Sequence, residues 1–255
     1  MVETIDQETG IQLYVAGLFP TPVAIINFGE QARELNLRLI EDIDDARANN
    51  LSAERTFSNN SAGWQSIPGL ETHYHSFVSL KNLIHQVAIP SMEWTGYDKE
   101  YLLTSVEIAG LWANLIDGPG GWSSPHVHGY GDTLWSGVYY PTSGIQDGVS
   151  ASADLDLDEF NRENYVEAST TSKRQGVLAI IDPAKVSKSL LGPDTGAFEQ
   201  YPHYGADVNI IPRESLIVLF PAWVEHYVTP IVETNFKRYS ISFCINRKVR
   251  ETEDG

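Results

Sequence analysis

The sequence predicts a mainly β molecule, a double-stranded β-helix (jelly roll) with an N-terminal helical layer packed on one of its sheets. Three observations lead there. From about Tyr101 onward, short β-branched or aromatic runs alternate with Gly, Pro and Asp turns, the pattern of a sandwich, barrel or jelly roll. The last of these runs, Phe236 to Asn246, alternates strictly, with Arg238, Ser240, Ser242 and Cys244 on one face and Tyr239, Ile241, Phe243 and Ile245 on the other. Ahead of the strands, the N-terminal hundred residues carry apolar positions at helical spacing.

Taken in order, Ile11 to Asn27 reads as an apolar strand bent at Phe19-Pro-Thr-Pro22. Gly29 to about Asn49 is an amphipathic helix with Leu35, Leu37, Leu39, Ile40, Ile43 and Ala46 as its apolar residues. Ser61 to Ser66 reads as loop. A second helix runs from Ser76 to about Val87 with Val78, Leu80, Leu83 and Ile84, and Ser91 to Tyr101 is a weaker helical stretch beyond Pro90. The strands follow: Val106 to Ile116, Pro125 to His128, Thr133 to Tyr140, Gly176 to Ile181, Ser215 to Phe220, Val224 to Val228 and Phe236 to Asn246. The pocket-facing set of the last strand is polar, and its apolar set packs on the helices. The whole, 1–255, is expected to be one domain: 1–100 the strand and helices, 101–247 the β core, and 143–173 an insertion placed to act as a lid. Ala153 to Phe160 within it looks briefly like a calcium loop. It lacks the required glycine and flanking helices, so a solvated charged loop is expected. The tail from Arg250 is expected to fray.

Composition narrows the function. A chain of 255 residues, 42% hydrophobic, can bury a substantial core. Its single cysteine, Cys244, excludes an internal disulfide framework and is read as packing in a reducing compartment. No apolar run approaches the ~20 residues that span a bilayer, and the N-terminus lacks the basic and apolar regions of an export signal. A cytoplasmic protein is expected. The net charge of −17 argues against a broad nucleic-acid surface, which relies on clustered Lys and Arg.

The chemistry is concentrated in a few residues. His126 and His128 are i and i+2, so on an extended strand both imidazoles face one side, as two neighbouring metal ligands would. A third ligand must come from elsewhere, and the candidate is His226, at the end of the apolar run that begins at Leu216. Three ligands on one face with open positions opposite suit oxygen-activating non-haem iron. Twelve residues after His226, Arg238 and Ser240 offer a guanidinium fork and a hydroxyl on one face, which a dicarboxylate cosubstrate needs at its far end. Asn114, twelve residues before His126 and next to Trp112, could reach the cosubstrate's other end, or could be an ordinary strand-end amide. Asp132 rivals the histidines as a ligand, because a cupin-like His-x-His is followed by a carboxylate at this distance. The turn around it suggests instead that it holds a loop or orients an imidazole. His73 and His75 repeat the His-x-His pattern just before a helix, with no distal partner. They, His85 and His203 are read as ordinary histidines. One of Tyr139 and Tyr140 should reach the pocket, and Trp135 and Trp223 are expected in the core or the pocket wall.

The ordered segments Leu18 to Val23, Trp112-Ala-Asn114, Pro125-His-Val-His128, Ser136-Gly-Val-Tyr-Tyr140, Leu219 to Trp223 with His226, and Arg238 to Phe243 resemble the iron(II)/2-oxoglutarate-dependent oxygenases. The match is to a group of these found in bacteria and their phages. The resemblance implies a double-stranded β-helix, iron(II) and 2-oxoglutarate as cofactors, His126, His128 and His226 as the metal set, Arg238 and Ser240 as the cosubstrate anchor, and release of succinate and carbon dioxide. The wider superfamily has Asp or Glu where this chain has His128. Two other readings remain: a cupin-type dioxygenase that needs no 2-oxoglutarate, and a non-catalytic phage-associated binding protein of the same fold. The substrate has no legible motif, and a homodimer stays open as a partner reading.

Overall fold

The structure is a computed structural model, and it describes residues 2–5, 12–15, 21–53, 60–61, 63–129, 131–146, 149–150, 175–181, 183, 207–232 and 234–248. Strands β1 (Val2–Ile5) and β2 (Gln12–Val15) form an antiparallel pair of their own. After β3 (Ala24–Asn27) and a 3₁₀ turn, helix α1 spans Arg33–Ala48. It buries Asn36, Leu39, Ile43 and Ala46, spaced three and four apart along one face. Leu37 lies off that face and is 59% exposed, which corrects its assignment to the apolar stripe. The helix stops where Asn50 turns left-handed (φ 57°), its N–H bonding to Arg47 O at 3.1 Å while Leu51 N–H bonds to Ala46 O at 2.9 Å.

Short strands β4 (Asn60–Ser61) and β5 (Gly63–Gln65) come next, where a loop was expected. Helix α2 (His75–Leu83) continues into a π turn, Ile84–Ala88. The stretch expected as one helix after Pro90 is two pieces, a 3₁₀ segment Pro90–Thr95 and α3 (Lys99–Ser105). Gly96 at φ 91° ends the first, and the Asp98 carboxylate, accepting from Tyr101 N–H at 2.7 Å, caps the second.

The remaining chain is strand: β6 (Val106–Asp117), β7 (Trp122–His126), β8 (Thr133–Tyr140), β9 (Ile145–Gln146), β10 (Val149–Ser150), β11 (Leu178–Ile181), β12 (Asp207–Ile210), β13 (Leu216–Pro221), β14 (His226–Val228) and β15 (Phe236–Arg247). They form two antiparallel sheets. The larger runs β10-β9-β15-β8-β13-β3, with β6 also paired to β15 and β5 to β6; the smaller runs β12-β11-β14-β7-β4. The single strand expected from Ile11 to Asn27 is therefore two, since β2 pairs with β1 and β3 with β13.

Alternation sorts the larger sheet into two faces. Tyr239, Ile241, Phe243 and Ile245 of β15, Trp135 and Tyr139 of β8, and Ile217 and Leu219 of β13 pack against α1, α2 and α3. Val138 and Tyr140, with Leu216, Val218 and Phe220, face the smaller sheet and meet Leu178, Ile180 and Val224. In β6 the helix-facing residues change parity, from Val106 and Ile108 to Leu111, Ala113 and Leu115. The switch falls at Gly110 (φ 132°), opposite a register shift in β15. One extra residue there is a bulge, and it brings Trp112 and Asn114 onto the inner face. The architecture is the mainly β jelly roll with a helical layer on one sheet. The expected lid is almost wholly outside the described residues, as are the calcium-like loop, the tail from Arg250 and His203.

Candidate metal centre and cosubstrate pocket

A cavity of about 470 Å³ lies between the two sheets, and its lining includes His126, His128, His226, Asn114, Arg238 and Ser240. All six residues singled out as site candidates thus share one space.

The metal end is built by strand pairing. His126 on β7 and His226 on β14 are directly opposite in antiparallel register, so their side chains stand on the same face. Their ring centroids are 4.3 Å apart. His128 falls just beyond the end of β7, not within it as expected. Its backbone N–H bonds to Ala222 O at 2.8 Å, and its ring lies 4.9 Å from that of His126 and 5.2 Å from that of His226. A ligand nitrogen of each lies within 4.8 Å of the others, and among the described residues no other set of three His, Cys, Asp or Glu comes together this way. Nδ1 of His126 sits 2.7 Å from Ser124 O, and Nδ1 of His226 sits 3.0 Å from Val224 O. A carbonyl only accepts, so Nδ1 carries the proton and Nε2 is left with its lone pair free for a metal. His128 is flanked by the Trp112 indole, centroids 5.8 Å apart.

Electrostatics keep these rings neutral. Burial pushes His128 down to about 4, with the His126 charge adding to the effect. Burial also takes His226 down to about 3, and lowers His126 against the opposing pull of the Ser124 carbonyl. Neutral imidazole is the ligating form, so the donor set fits a divalent transition metal without prior loss of protons.

The other end is built around Arg238. It is 3% exposed, and among the described residues no carboxylate lies within ion-pair distance. Its Nε–H donates to Gly176 O at 2.7 Å, one terminal nitrogen to Ser240 Oγ at 2.8 Å, and the other to the Tyr140 hydroxyl at 3.2 Å. A guanidinium has five N–H donors, so two remain, one on each terminal nitrogen. Ser240 and Tyr140 each accept from Arg238 and keep their own O–H to donate. Two N–H and two O–H groups match the roughly four lone-pair sites of a carboxylate. A buried cation without a counterion is costly, and an incoming carboxylate relieves that cost. The residues present therefore fit a ligand with a carboxylate at this end.

Ser240 lies opposite Asn114 in the β15–β6 register, which puts both on the inner face. The Asn114 amide nitrogen donates to Ser242 Oγ at 3.1 Å. Asp132 is turned away: its carboxylate pairs with Arg247 at 2.9 Å on the surface, so it takes no part in the imidazole cluster. His73, His75 and His85 are likewise outside that cluster. Tyr140, not Tyr139, belongs to the pocket side. Tyr139 points into the helical layer and donates its hydroxyl hydrogen bond to Asn36 Oδ1. Trp135 is in the core, whereas Trp223 is 55% exposed on the turn between β13 and β14, contrary to expectation. Its neighbours Ala222 and Val224 are buried, so the turn aims the side chain between them outward. Two contributors had no sequence signal, the Gly176 carbonyl and Gln65, which β5 brings into the lining. For Tyr140, parity groups it with Ser136 and Val138 but does not say which face of the strand lies inward.

Residues 110–244 match the family model described as "Putative 2OG-Fe(II) oxygenase". No curated protein matches in sequence. Among solved structures, the chain is similar to a prolyl-4-hydroxylase of Pseudomonas putida, with 12% identity over 89% of this chain and 94% of that one and a TM-score of 0.52. It is also similar to the non-haem α-ketoglutarate-dependent epimerase SnoN from nogalamycin biosynthesis, with 12% identity over 89% and 77% and a TM-score of 0.54. A prolyl hydroxylase of Trichoplax adhaerens gives 13% identity over 88% and 83%, with a TM-score of 0.50. At these identities the structures speak for the fold, and the family model, which covers more than half of the chain, speaks for the family. The protein belongs to the 2-oxoglutarate- and iron(II)-dependent oxygenases.

Proposed function

We propose that His126, His128 and His226 hold the iron(II) of this oxygenase, and that Arg238, Ser240 and Tyr140 bind the distal carboxylate of 2-oxoglutarate. The observation that carries this is the buried Arg238, held by Ser240 and Tyr140 with two N–H groups to spare, which lines the same cavity as Ser240 and three neutral imidazoles. Bound iron supplies the dioxygen chemistry in which 2-oxoglutarate is oxidatively decarboxylated to succinate and carbon dioxide while a substrate is oxidised. The chain's own part is positioning. The carbonyls of Ser124 and Val224 hold two imidazoles in one tautomer and orientation. Arg238 neutralises the cosubstrate and orients it along the cavity. Asn114, on the inner face opposite Ser240, is proposed to contact the cosubstrate's 2-oxo acid portion.

Anaerobic titration with iron(II) and then 2-oxoglutarate tests the assignment. A visible metal-to-ligand charge-transfer band is expected in the wild type. Arg238→Ala should lose the band at 2-oxoglutarate concentrations that saturate the wild type, with iron binding retained. A band that survives Arg238→Ala would reject the anchor, and a wild type that binds iron but gives no band would favour a metal centre that works without this cosubstrate.

A further inference from the structure

We infer that Gly176 is a positioning residue for cosubstrate selection: its missing side chain and its carbonyl together set how far the Arg238 guanidinium reaches into the cavity. The inference rests on the 2-oxoglutarate reading above and adds a residue outside the strand that carries the anchor.

Two independent observations meet at this position. The first is chemical. Gly176 O accepts the Arg238 Nε–H at 2.7 Å, while Gly176 N–H donates to Thr229 O at 3.2 Å. One peptide unit on either side of Gly176 thus ties the guanidinium to the chain leaving β14, and the next residue, Val177, is held by Thr229 Oγ1 at 2.9 Å. The second is steric. A Cβ added at Gly176 would stand 2.9 Å from Arg238 Cδ, closer than such atoms approach, and 3.6 Å from its Nε. The neighbour that would have to move is the buried stem of the anchor itself, with its head already fixed by Ser240 and Tyr140. The backbone at Gly176 is also left-handed (φ 65°), a region glycine enters freely. Any side chain here displaces the guanidinium from the two hydroxyls that complete the carboxylate cradle, and leaves the imidazole end untouched.

A 2-oxo diacid must span from the metal end to this guanidinium, so moving Arg238 alters which chain length fits. The test compares wild type with Gly176→Ala, Gly176→Asn and Gly29→Ala. Gly29 has nearly the same backbone conformation (φ 61°) but open space around it and no place in the cavity lining, so its variant reports strain alone. Asparagine tolerates the left-handed region and still brings a Cβ against Arg238, so it reports the collision with less strain. Iron(II) affinity is measured first, then affinities for 2-oxoglutarate and for its four- and six-carbon homologues, all by anaerobic absorption titration. Both Gly176 variants should bind 2-oxoglutarate at least tenfold more weakly and show a changed ratio among the three diacids. Iron affinity should stay within twofold, and Gly29→Ala should match the wild type throughout. Wild-type affinity in either Gly176 variant, or a parallel loss of iron, overturns the role of Gly176. A wild type that binds iron but none of the diacids overturns the cosubstrate reading and this inference with it. If Gly176→Ala does not fold, Gly176→Asn decides.

Discussion

In the proposed assignment, position 128 puts an imidazole where the wider superfamily has a carboxylate, and the consequence is electrostatic. Three neutral ligands leave a bound divalent ion its full charge, whereas an aspartate would remove one unit. Replacing His128 by Asp should therefore preserve or tighten iron(II) binding, and His128→Ala should weaken it by about tenfold or more, since one of three bonds is lost. Asp132→Ala should leave the affinity unchanged, because its carboxylate faces Arg247. Titration with iron(II) or cobalt(II) checks all three, and a loss confined to Asp132→Ala would reverse the assignment. At the other end, Tyr140→Phe removes one hydroxyl of the cradle and leaves an Arg238 N–H without a partner. The carboxylate loses the hydrogen bond this O–H would donate, worth about 1–2 kcal/mol, so 2-oxoglutarate should bind roughly five- to thirtyfold more weakly. Much of this site was legible because the strand period acts locally. Arg238 and Ser240 are two apart wherever the strand sits, whereas His128, just past the end of β7, is held at the cluster by its backbone bond to Ala222 O. Tyr140 against Tyr139 was not legible, because the choice depends on which sheet face lies inward. Gly176 was not legible at all, since its partner lies 62 residues away.

At the scale of elements, β8 shows what the larger sheet demands of its sequence. Gly137 sits between Ser136 and Val138 on the face that meets the helical layer, where a Cβ would collide with the Phe243 ring and a Leu219 methyl. Both neighbours are fully buried and cannot move aside. Gly137→Ala should destabilise the fold by about 1–3 kcal/mol, the usual cost of overpacking, read as a lower urea midpoint. The imidazole pairing of β7 and β14 does not involve this contact, so the metal stoichiometry of the folded variant should hold. A variant as stable as wild type would show that the core around Phe243 is looser than its burial suggests. Element boundaries were read well where a run is long and buried, as in β6, β8, β13 and β15. They failed where pairing is non-local. The single strand expected from Ile11 to Asn27 became two because the partners, β1 and β13, lie at opposite ends of the chain. The bulge at Gly110 follows the same logic, since hydropathy alone carries no trace of a parity switch.

For the whole molecule, the proposed metal assignment makes the three imidazoles couple folding to both metal and protons. A ligand that binds only the folded state adds RT ln(1 + [L]/Kd), about 2.7 kcal/mol at a hundred times Kd, so saturating metal should raise the melting temperature by roughly 5–10 °C. Protons act in the opposite direction. Burial lowers the folded-state values of all three histidines, to about 4 for His128 and about 3 for His226, while the unfolded chain keeps the ordinary value near 6.5. Below 6.5 the unfolded state therefore binds protons that the folded state refuses, and stability falls with pH. The contribution is fully present above about 6.5 and is lost progressively as pH drops toward 3. From His226 alone, 6% exposed, the loss between pH 6.5 and 5 is about 2 kcal/mol. The metal-free protein should accordingly lose urea resistance between pH 7 and 5, a window above the ordinary carboxylate range. The metal-loaded protein should lose less, because the ion occupies the nitrogens that would be protonated. His226→Phe, which keeps a ring in the buried site but removes its titration, should flatten the metal-free profile. An equally steep fall in that variant would show that His226 does not carry the acid sensitivity.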